Sequence, residues 1–446
     1  MYCAYITTIK ELRKHSNADR LLVATVFGND VIVDLSYEIG KKVIYFPTDG
    51  QLGKEFAEEN NLVRKKDENG NNIGGYLDPD KRNIKALKLR GEKSDGLVLP
   101  VEVLSKYVDV STLKDGDQIT TIDGNEICRK YIPRGSNRRH STGGVKKVRN
   151  KKEESQKVSY PYFAEHIDTE QLAYNQSAFK PGDTIYLTQK LHGTSFRVSN
   201  CLEFTTKKRN PIIKKLFHAK DKVTSKYQVV SGTRRVVLRG YDGGFYGNNE
   251  FRKKYNDFFA ERLPKNFTVY GEIVGWVDEN TPIMSKCSNA KLKDPEFVKQ
   301  YGDETIFTYG CVPGENHCYI YRITVTNEDG IAIDLPTEEV KRWCDIWGCD
   351  YVPLLEKFLY TTWEDLNERC NKYLDIPEPL ANGTHVTEGV VVRIDNRGKF
   401  TAYKTKSFAF KVLEGIIKES ADAPDMEEAQ DLIVEDREAN VDIDTM

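Results

Sequence analysis

The sequence contains no run of about 18 apolar residues, so no membrane-spanning helix is expected. Its first residues lack the apolar core of a secretory signal peptide, and we therefore expect a cytoplasmic protein with no membrane partner. Nine cysteines are present but none forms a CxxC pair, which argues against a structural zinc site and favours reduced thiols. No segment repeats, and the helical and strand-like stretches do not alternate as in a doubly wound α/β sheet.

What the sequence does contain is enough apolar material for folded domains. Hydrophobic residues make up 39% of the 446 residues and include 24 Tyr and 19 Phe, so a globally disordered chain is excluded. The length predicts two or three domains. Lys and Arg number 66 against 68 Asp and Glu, which gives a net charge of −2. Taken as a total, that balance argues against a polyanionic partner.

The total hides three segregated blocks of charge. Residues 129–152 hold ten Lys or Arg and no acid, residues 204–240 hold eleven and one acid, and residues 419–446 hold eleven acids and one base. Two basic blocks of this density favour phosphate binding. The first block is also rich in Gly, Ser and Asn, so residues 128–157 are predicted to be a basic linker and residues 416–446 an acidic C-terminal tail.

Hydrophobic patterning divides the rest of the chain into two predicted domains. Residues 1–127 contain short apolar runs such as RLLVATVFG and KKVIYFP between turn residues, which predicts an OB-like β-barrel with the polar segment 54–83 looping out. Residues 158–415 mix strand-like and helical stretches, which predicts an α+β domain. Helices are predicted for NNEFRKKYNDFFAERL, PTEEVKRWCDIWG and TWEDLNERCNKYL, which begin at 248, 336 and 362.

One segment suggests covalent chemistry at phosphorus. GDTIYLTQKLHGTSF places Lys190 at the end of a predicted strand, followed by Gly193 and small hydroxyl residues. An unprotonated lysine amine can attack a phosphate, and a glycine lets the backbone approach that phosphate closely. Alone the pattern is weak, because a surface lysine before a turn is far commoner.

Four further elements follow along the chain, and each is predicted to be a strand that carries polar or aromatic side chains within it or at its start. They are FTVYGEIVG at 267–275 with Glu272, TIFTYGC at 305–311 with Phe307 and Tyr309, TEGVVVR at 387–393 with Glu388, and YKTK at 403–406 with Lys404 and Lys406. Period-two spacing places the last two lysines on one face of a strand. Each element alone has an ordinary explanation as an edge carboxylate, a core aromatic or a solvated face, but the ordered set is far more specific.

In this order the elements resemble the motifs of the covalent nucleotidyltransferase superfamily, which contains the ATP-dependent ligases and the mRNA capping enzymes. KLHG is similar to the nucleophile motif, YGEIVG to the third motif, FTYG to the aromatic motif after it, EGVVVR to the fourth and KTK to the fifth, while SGTR at 231–234 matches an arginine-bearing motif. The resemblance covers residues 160–411. It implies an adenylyltransferase (ligase) domain at 158–415, built from antiparallel sheets and helices, with ATP and Mg²⁺ or Mn²⁺ as cofactors.

Two departures from DNA ligases and capping enzymes favour an RNA ligase. His192 stands where those enzymes usually have Asp, and in this it resembles the double-strand, nick-sealing RNA ligases. Only 35 residues, many of them acidic, follow Lys411, too few for the OB domain that comes after the fifth motif in those enzymes. The β-rich module comes first instead, a layout that resembles the RNA ligases with an N-terminal OB domain.

The resemblance also implies roles for individual residues. Lys190 would attack the ATP α-phosphate, Gly193 would let the backbone come close to it, and Glu388 would hold the metal. Lys404 and Lys406 would contact the α-phosphate and the pyrophosphate. Glu272 would bind the ribose, Gln189 would read the adenine edge, and Tyr309 or alternatively Phe307 would stack on adenine. Arg234 or alternatively Arg235 would bind ribose or a strand end. No task is implied for His192.

The implied activity is ATP-dependent RNA ligation in RNA repair, through a lysyl–AMP and an adenylylated 5′ end. The expected partner is nicked RNA or an RNA-containing duplex, and a monomer is expected. Two alternatives stay open, a DNA ligase or capping-type guanylyltransferase and a non-catalytic nucleic-acid-binding module. His192 and the domain order disfavour the first, and the complete motif set disfavours the second.

Overall fold

The computed structural model describes residues 2–419 except 72, 134–155, 210–215, 217, 219, 242–245 and 248. The basic block 129–152 and the acidic tail predicted from 416 therefore lie mostly outside the described residues. Among the described residues, no helix has the length and apolar content needed to cross a bilayer.

Strands dominate the fold. In chain order they are β1 (Ala4–Thr8), β2 (Glu11–Lys14), β3 (Leu21–Val26), β4 (Asn29–Asp34), β5 (Lys42–Phe46), β6 (Gly50–Leu52), β7 (Ala86–Leu89), β8 (Glu92–Asp95), β9 (Leu97–Pro100), β10 (Gln118–Ile119), β11 (Thr121–Ile122), β12 (Asn125–Glu126), β13 (Cys128–Lys130), β14 (Gln156–Ser159), β15 (Glu170–Gln171), β16 (Thr184–Lys190), β17 (Thr194–Lys207), β18 (Lys222–Gly232), β19 (Phe267–Gly275), β20 (Cys287–Ser288), β21 (Glu304–Thr305), β22 (Asn316–Thr326), β23 (Ala332–Asp334), β24 (Asp350–Tyr351), β25 (Leu354–Leu359), β26 (Gly389–Ile394) and β27 (Ala402–Lys406).

Helices are fewer. They are α1 (Lys54–Glu59), α2 (Glu250–Ala260), α3 (Pro295–Tyr301), α4 (Thr337–Trp347), α5 (Trp363–Asn371) and α6 (Phe408–Glu419), with short 3-10 turns at Val101–Leu104, Val110–Thr112, Leu172–Tyr174, Gln176–Ala178, Asn289–Leu292 and Pro379–Ala381. Helices α2, α4 and α5 confirm the three predicted ones. Each of these helices buries apolar residues on one face, as expected for an amphipathic helix with 3.6 residues per turn.

The chain divides into two compact units. The described part of unit 1 is 2–133, 287–305 and 406–419, and that of unit 2 is 156–286 and 306–405. Strand β13, within the predicted linker, pairs with β6 in unit 1. Helices and strands occur together in the described chain, which confirms the predicted α+β class.

Unit 1 is built from small sheets. Its largest has the order β10-β1-β5-β9, and β2-β3-β4 form a second. The pairings between described strands do not close into a barrel. Buried side chains such as Ile6, Ile44, Phe46, Phe56 and Leu99 form its core.

Helix α6 belongs to unit 1, although its sequence lies next to the fifth motif. Lys411 forms an ion pair with Asp95, and the Nζ of Lys418 lies 3.1 Å from Asp49 Oδ1. Because Asp95 and Lys418 are buried, these pairs are shielded from solvent screening and tie the helix to the N-terminal strands.

Unit 2 contains two larger sheets. One has the order β14-β17-β19-β22-β23, with β18 paired to β17 and β24 to β22, and the other has the order β15-β27-β26-β16-β25. The second sheet packs on a core that includes Ile185, Leu187, Val390 and Val392. Strand β16 belongs to the second sheet and β17 to the first, so the residues between Lys190 and Thr194 carry the chain from one sheet to the other.

Candidate active site

Lys190 and Glu388 meet because their strands are paired. Strands β16 and β26 are antiparallel, and Lys190 lies opposite Gly389, the residue after Glu388. The Nζ of Lys190 lies 2.7 Å from Oε1 of Glu388. The Glu388 side chain is 1% exposed and that of Lys190 is 21% exposed, so the amine is the accessible member of the pair.

Gly193 lies against strand β19, which carries Glu272. The Gly193 amide donates a hydrogen bond to Oε1 of Glu272 at 3.1 Å. A Cβ at Gly193 would lie 2.3 Å from the carbonyl oxygen of Ile273, which leaves no room for a side chain. The glycine is therefore required by close packing, and it places the turn after Lys190 next to the Glu272 carboxylate.

Neither of the two predicted adenine-stacking residues lies in a strand, and Tyr309 lies in a turn. We predicted a strand over 305–311, but β21 ends at Thr305, and that prediction is wrong for Phe307 and Tyr309. Tyr309 has a φ of 51° and Gly310 a φ of 83°, both in the left-handed region that an extended strand does not use. This backbone reversal lies four residues beyond the end of β21 and keeps Tyr309 out of an extended strand.

Both aromatic residues are buried beside residues 191–193, which follow the predicted nucleophile Lys190 and are called the nucleophile turn. The amide of His192 donates to the Tyr309 hydroxyl at 2.7 Å, and the ring centroids of His192 and Phe307 are 4.9 Å apart. Both aromatic rings also contact His385 edge to face. Burial raises the pKa of Tyr309 well above its usual value and lowers that of His385 to about 4, so both side chains are neutral at pH 7. The structure gives His192 a packing contact, and the choice between Tyr309 and Phe307 as the stacking residue stays a prediction.

The two lysines of the fifth motif lie on β27, as predicted. Strand β27 neighbours β26, which separates it from β16, so Lys404 belongs to the same sheet as Lys190. Lys406 is the first described residue of the last segment of unit 1. Its Nζ contacts both carboxylate oxygens of Glu414, at 3.0 and 2.8 Å.

Arg234 lies in a charged cluster with Asp168 and His166. Its Nε donates to Oδ1 of Asp168 at 2.9 Å, and its carbonyl oxygen accepts from the His166 amide. Burial and then the Arg234 charge lower the pKa of His166 to about 3. Burial is the largest single effect on Asp168 and raises its pKa, but the charge and the hydrogen bond of Arg234, together with smaller charge effects, outweigh it and the pKa is lowered. The Arg234 side chain is 18% exposed and that of Arg235 52%, so Arg234 is the more firmly held of the two candidates.

Sequence reasoning missed Glu378, which anchors Gln189. The Gln189 amide and the backbone amide of Leu380 both donate to Oε1 of Glu378, the latter at 3.0 Å. Glu378 is fully buried, and burial raises its pKa. Among the described residues, its Oε2 has no hydrogen-bond partner. The local sequence DIPEPLANG reads as a loop, so no pattern pointed to a core carboxyl.

Arg252 was also missed, and it anchors Thr194. Its guanidinium donates to Oγ1 of Thr194 at 2.6 Å and to the side-chain oxygen of Asn249. Full burial lowers its pKa to about 10. Arg252 shares a helical face with Tyr255 and Phe259 at i+3 and i+7, so a charged residue on the apolar face of α2 was an available signal.

A family model described as RNA ligase matches residues 183–413, just over half of the chain and a range that includes every predicted site residue. The chain belongs to the RNA ligase family. No curated protein matches the sequence.

Solved structures with a similar fold come from an RNA ligase of Naegleria gruberi. A variant with ATP and Mn has a TM-score of 0.55 and 17% identity over 92% of this chain and 98% of that chain. The same protein with PPi has a TM-score of 0.54 and 18% identity over 91% and 97% of the two chains. At these identities the likeness shows that this member of the RNA ligase family shares their fold.

Proposed function

We propose that this protein is an ATP-dependent RNA ligase that seals nicks with a 3′-OH and a 5′-phosphate in duplex RNA. The observation that carries the proposal is the 2.7 Å pair of Lys190 and Glu388, placed where the chain crosses between the sheets of unit 2 beside Glu272. Membership of the RNA ligase family supports it. So do the ATP and PPi named for the similar Naegleria structures.

Lys190 would act as the nucleophile in the first of three displacements at phosphorus. Its Nζ leaves the ion pair with Glu388, gives up a proton and bonds to the α-phosphorus while the bond to pyrophosphate breaks. In the second step a 5′-phosphate oxygen of the RNA attacks the phosphorus of AMP and releases the lysine. In the third, the 3′-OH attacks the activated 5′-phosphate, loses its proton and expels AMP. Positioning and charge neutralisation supply most of the rate in such in-line steps.

The other site residues would hold ATP for the first step. Glu272, next to the Gly193 amide, would accept hydrogen bonds from the ribose hydroxyls. Gln189, fixed by Glu378, would face the adenine edge, and Tyr309 or Phe307 would stack on the base. The charges of Lys404, Lys406 and Arg234 would stabilise phosphate oxygens or a strand end.

Glu388 is the residue suited to a Mg²⁺ or Mn²⁺ ion. No cluster of three or more His, Cys, Asp or Glu within the described chain is arranged to hold a metal. Such an ion usually relies on one or two carboxylates together with waters and substrate phosphates, so a single buried carboxylate beside the nucleophile fits. When bound, the ion would neutralise phosphate charge.

The proposal also includes the roles of the two domains, the substrate, the process and the location. The small sheets of unit 1 would serve as an OB-like module. Residues 1–127 would form this module, and residues 158–415 would form the adenylyltransferase domain. His192 in the nucleophile turn supports a nicked duplex as the substrate, and RNA repair is the process that needs such sealing. We place the protein in the cytoplasm as a monomer.

A joining assay tests this function. Nicked duplexes that differ only in RNA or DNA strands are incubated with the protein, Mg²⁺ and either ATP or GTP. We expect the RNA nick to be joined with ATP and not with GTP. Joining restricted to all-DNA nicks would favour a DNA ligase, and labelling of the protein from GTP but not ATP would favour a guanylyltransferase.

A matched pair of carboxylate variants ties the activity to the site. Glu272→Ala should fail to form the protein–AMP adduct, because the ribose loses its acceptor. Glu279→Ala changes an exposed carboxylate after the same strand and should join RNA at the wild-type rate. Equal activity of the two variants would contradict the assignment of Glu272.

A further inference from the structure

Strands β17 and β18 form a long antiparallel ribbon, and β14 pairs with the other edge of β17 at the far end. The pairing of β17 with β18 runs from Arg197 opposite Gly232 to Lys207 opposite Lys222. Every residue of β18 from Lys222 to Gln228 is exposed, on both faces of the ribbon. Strand β18 and the end of β17 lie within the basic block 204–240.

One face of this far end is basic and rich in hydroxyl groups. Side chains of directly paired residues point to the same side of an antiparallel sheet, and along a strand every second residue does so. The register therefore groups six side chains on one face, which we call the basic face. These are Glu203, Thr205 and Lys207 of β17 with Lys222, Thr224 and Lys226 of β18.

The charges of the basic face are not balanced within the described chain. Lys226 has a partner, since its Nζ lies 3.5 Å from Oε1 of Glu203. Lys207 and Lys222 are direct cross-strand neighbours, and like charges in that arrangement destabilise a sheet. No described acidic residue forms an ion pair with either lysine.

The residues next to this pair add further positive charge. Lys208, Arg209 and Lys220 are all exposed. Asp221, the acid at this end, accepts a hydrogen bond from the Arg209 backbone amide at 2.9 Å. An exposed end with this excess of positive charge is complementary to a polyanion.

We propose that the basic face of the ribbon binds the phosphate backbone of the RNA substrate. This inference rests on the proposed ligase function and adds to it the surface that grips the RNA. Lysine amines and threonine hydroxyls are donors suited to phosphate oxygens, and such contacts position a strand without reading its sequence. The phosphates also relieve the repulsion between Lys207 and Lys222.

The basic end is distant along the strand from the reacting atoms. Lys207 lies thirteen residues beyond Thr194, which follows the nucleophile turn. At about 3.3 Å per residue the strand spans roughly 43 Å. Loss of these lysines should therefore weaken RNA binding and spare the reaction of Lys190 with ATP.

The test is a double variant, Lys207→Gln with Lys222→Gln, in the full-length protein. The control is Lys341→Gln with Lys372→Gln, which removes the same charge from unit 2 outside the ribbon. Binding to a fluorescent nicked RNA duplex with an adenylylated 5′ end is measured over a range of salt concentrations. Self-adenylylation with ATP and the thermal midpoint are measured alongside.

We expect the slope of log affinity against log salt to fall by about 1.5 for the ribbon variant, at about 0.7–0.9 per lysine. When the salt is raised from about 50 to about 200 mM, the fold-loss of affinity should be roughly eight times smaller for the variant than for the wild type. Its self-adenylylation should be unchanged, and its thermal midpoint unchanged or higher.

Three results would overturn the inference. The first is a salt slope equal to that of the wild type, and the second is an equal decrease in the control. The third is a lower midpoint together with slow self-adenylylation, which would show a structural role. Failure of the ligase function would appear separately, as wild-type protein that joins no RNA with ATP.

Discussion

Gly193→Ala tests whether the nucleophile turn depends on its close contact with β19. The added Cβ would lie 2.3 Å from the carbonyl oxygen of Ile273, whereas ordinary contacts begin at 3.4 Å. The turn or the strand must therefore move by about 1 Å, a displacement that can cost about 10²-fold in rate when it affects a reacting group. The movement also disturbs the 3.1 Å hydrogen bond from the Gly193 amide to Glu272. Overpacking of this kind costs about 1–3 kcal/mol.

The assay is single-turnover formation of the protein–AMP adduct, with the free energy of unfolding measured in parallel. Gly193→Ala should slow adduct formation about 10²-fold and lower the free energy of unfolding by about 1–3 kcal/mol. Gly398→Ala is the matched control, because a Cβ there would have nothing within 4 Å and the φ of Gly398 is outside the left-handed region. Wild-type adduct formation and stability in Gly193→Ala would show that the turn does not depend on this contact.

Three further variants test the anchors around the site. Tyr309→Phe removes the acceptor of the His192 amide and should slow adduct formation about two- to twelvefold, since such a hydrogen bond contributes about 0.5–1.5 kcal/mol; an unchanged rate would argue against it. Arg252→Lys should keep more adduct formation than Arg252→Met, which removes both donors to Thr194 and Asn249, and equal rates would contradict this order. Burial raises the pKa of Glu378 above 4.5, so the folded state binds the proton of this carboxyl more tightly than the unfolded state does. The stability of the wild type relative to Glu378→Gln should therefore fall as the pH rises above 4.5. Urea unfolding across a range of pH measures this difference, and a difference that does not change with pH would contradict the prediction.

The strands that carry the motifs were predictable from local sequence. Strands β16, β19 and β26 have the buried apolar runs that their segments show, and their pairing then brings Lys190 to Glu388. The amphipathic helices were equally clear, because their apolar residues recur at helical spacing. Local patterns of this kind fix which residues enter an element.

Long-range choices were not predictable. The turn at Tyr309 depends on a left-handed backbone and a hydroxyl that accepts from His192, more than a hundred residues away. Glu378 accepts a hydrogen bond from Gln189, and these two residues are 189 positions apart in the sequence. The grouping of 287–305 and 406–419 with the N-terminal strands has the same origin, since ion pairs such as Lys411 with Asp95 join distant segments.

The central claim is that Lys190 becomes covalently bound to AMP. The most direct measurement is incubation of the protein with α-labelled ATP and Mg²⁺ or Mn²⁺, followed by denaturation and detection of bound label. The wild type should carry label that is lost in acid, as expected for a phosphoramidate, and Lys190→Ala should carry none. Label that persists in Lys190→Ala would contradict the account.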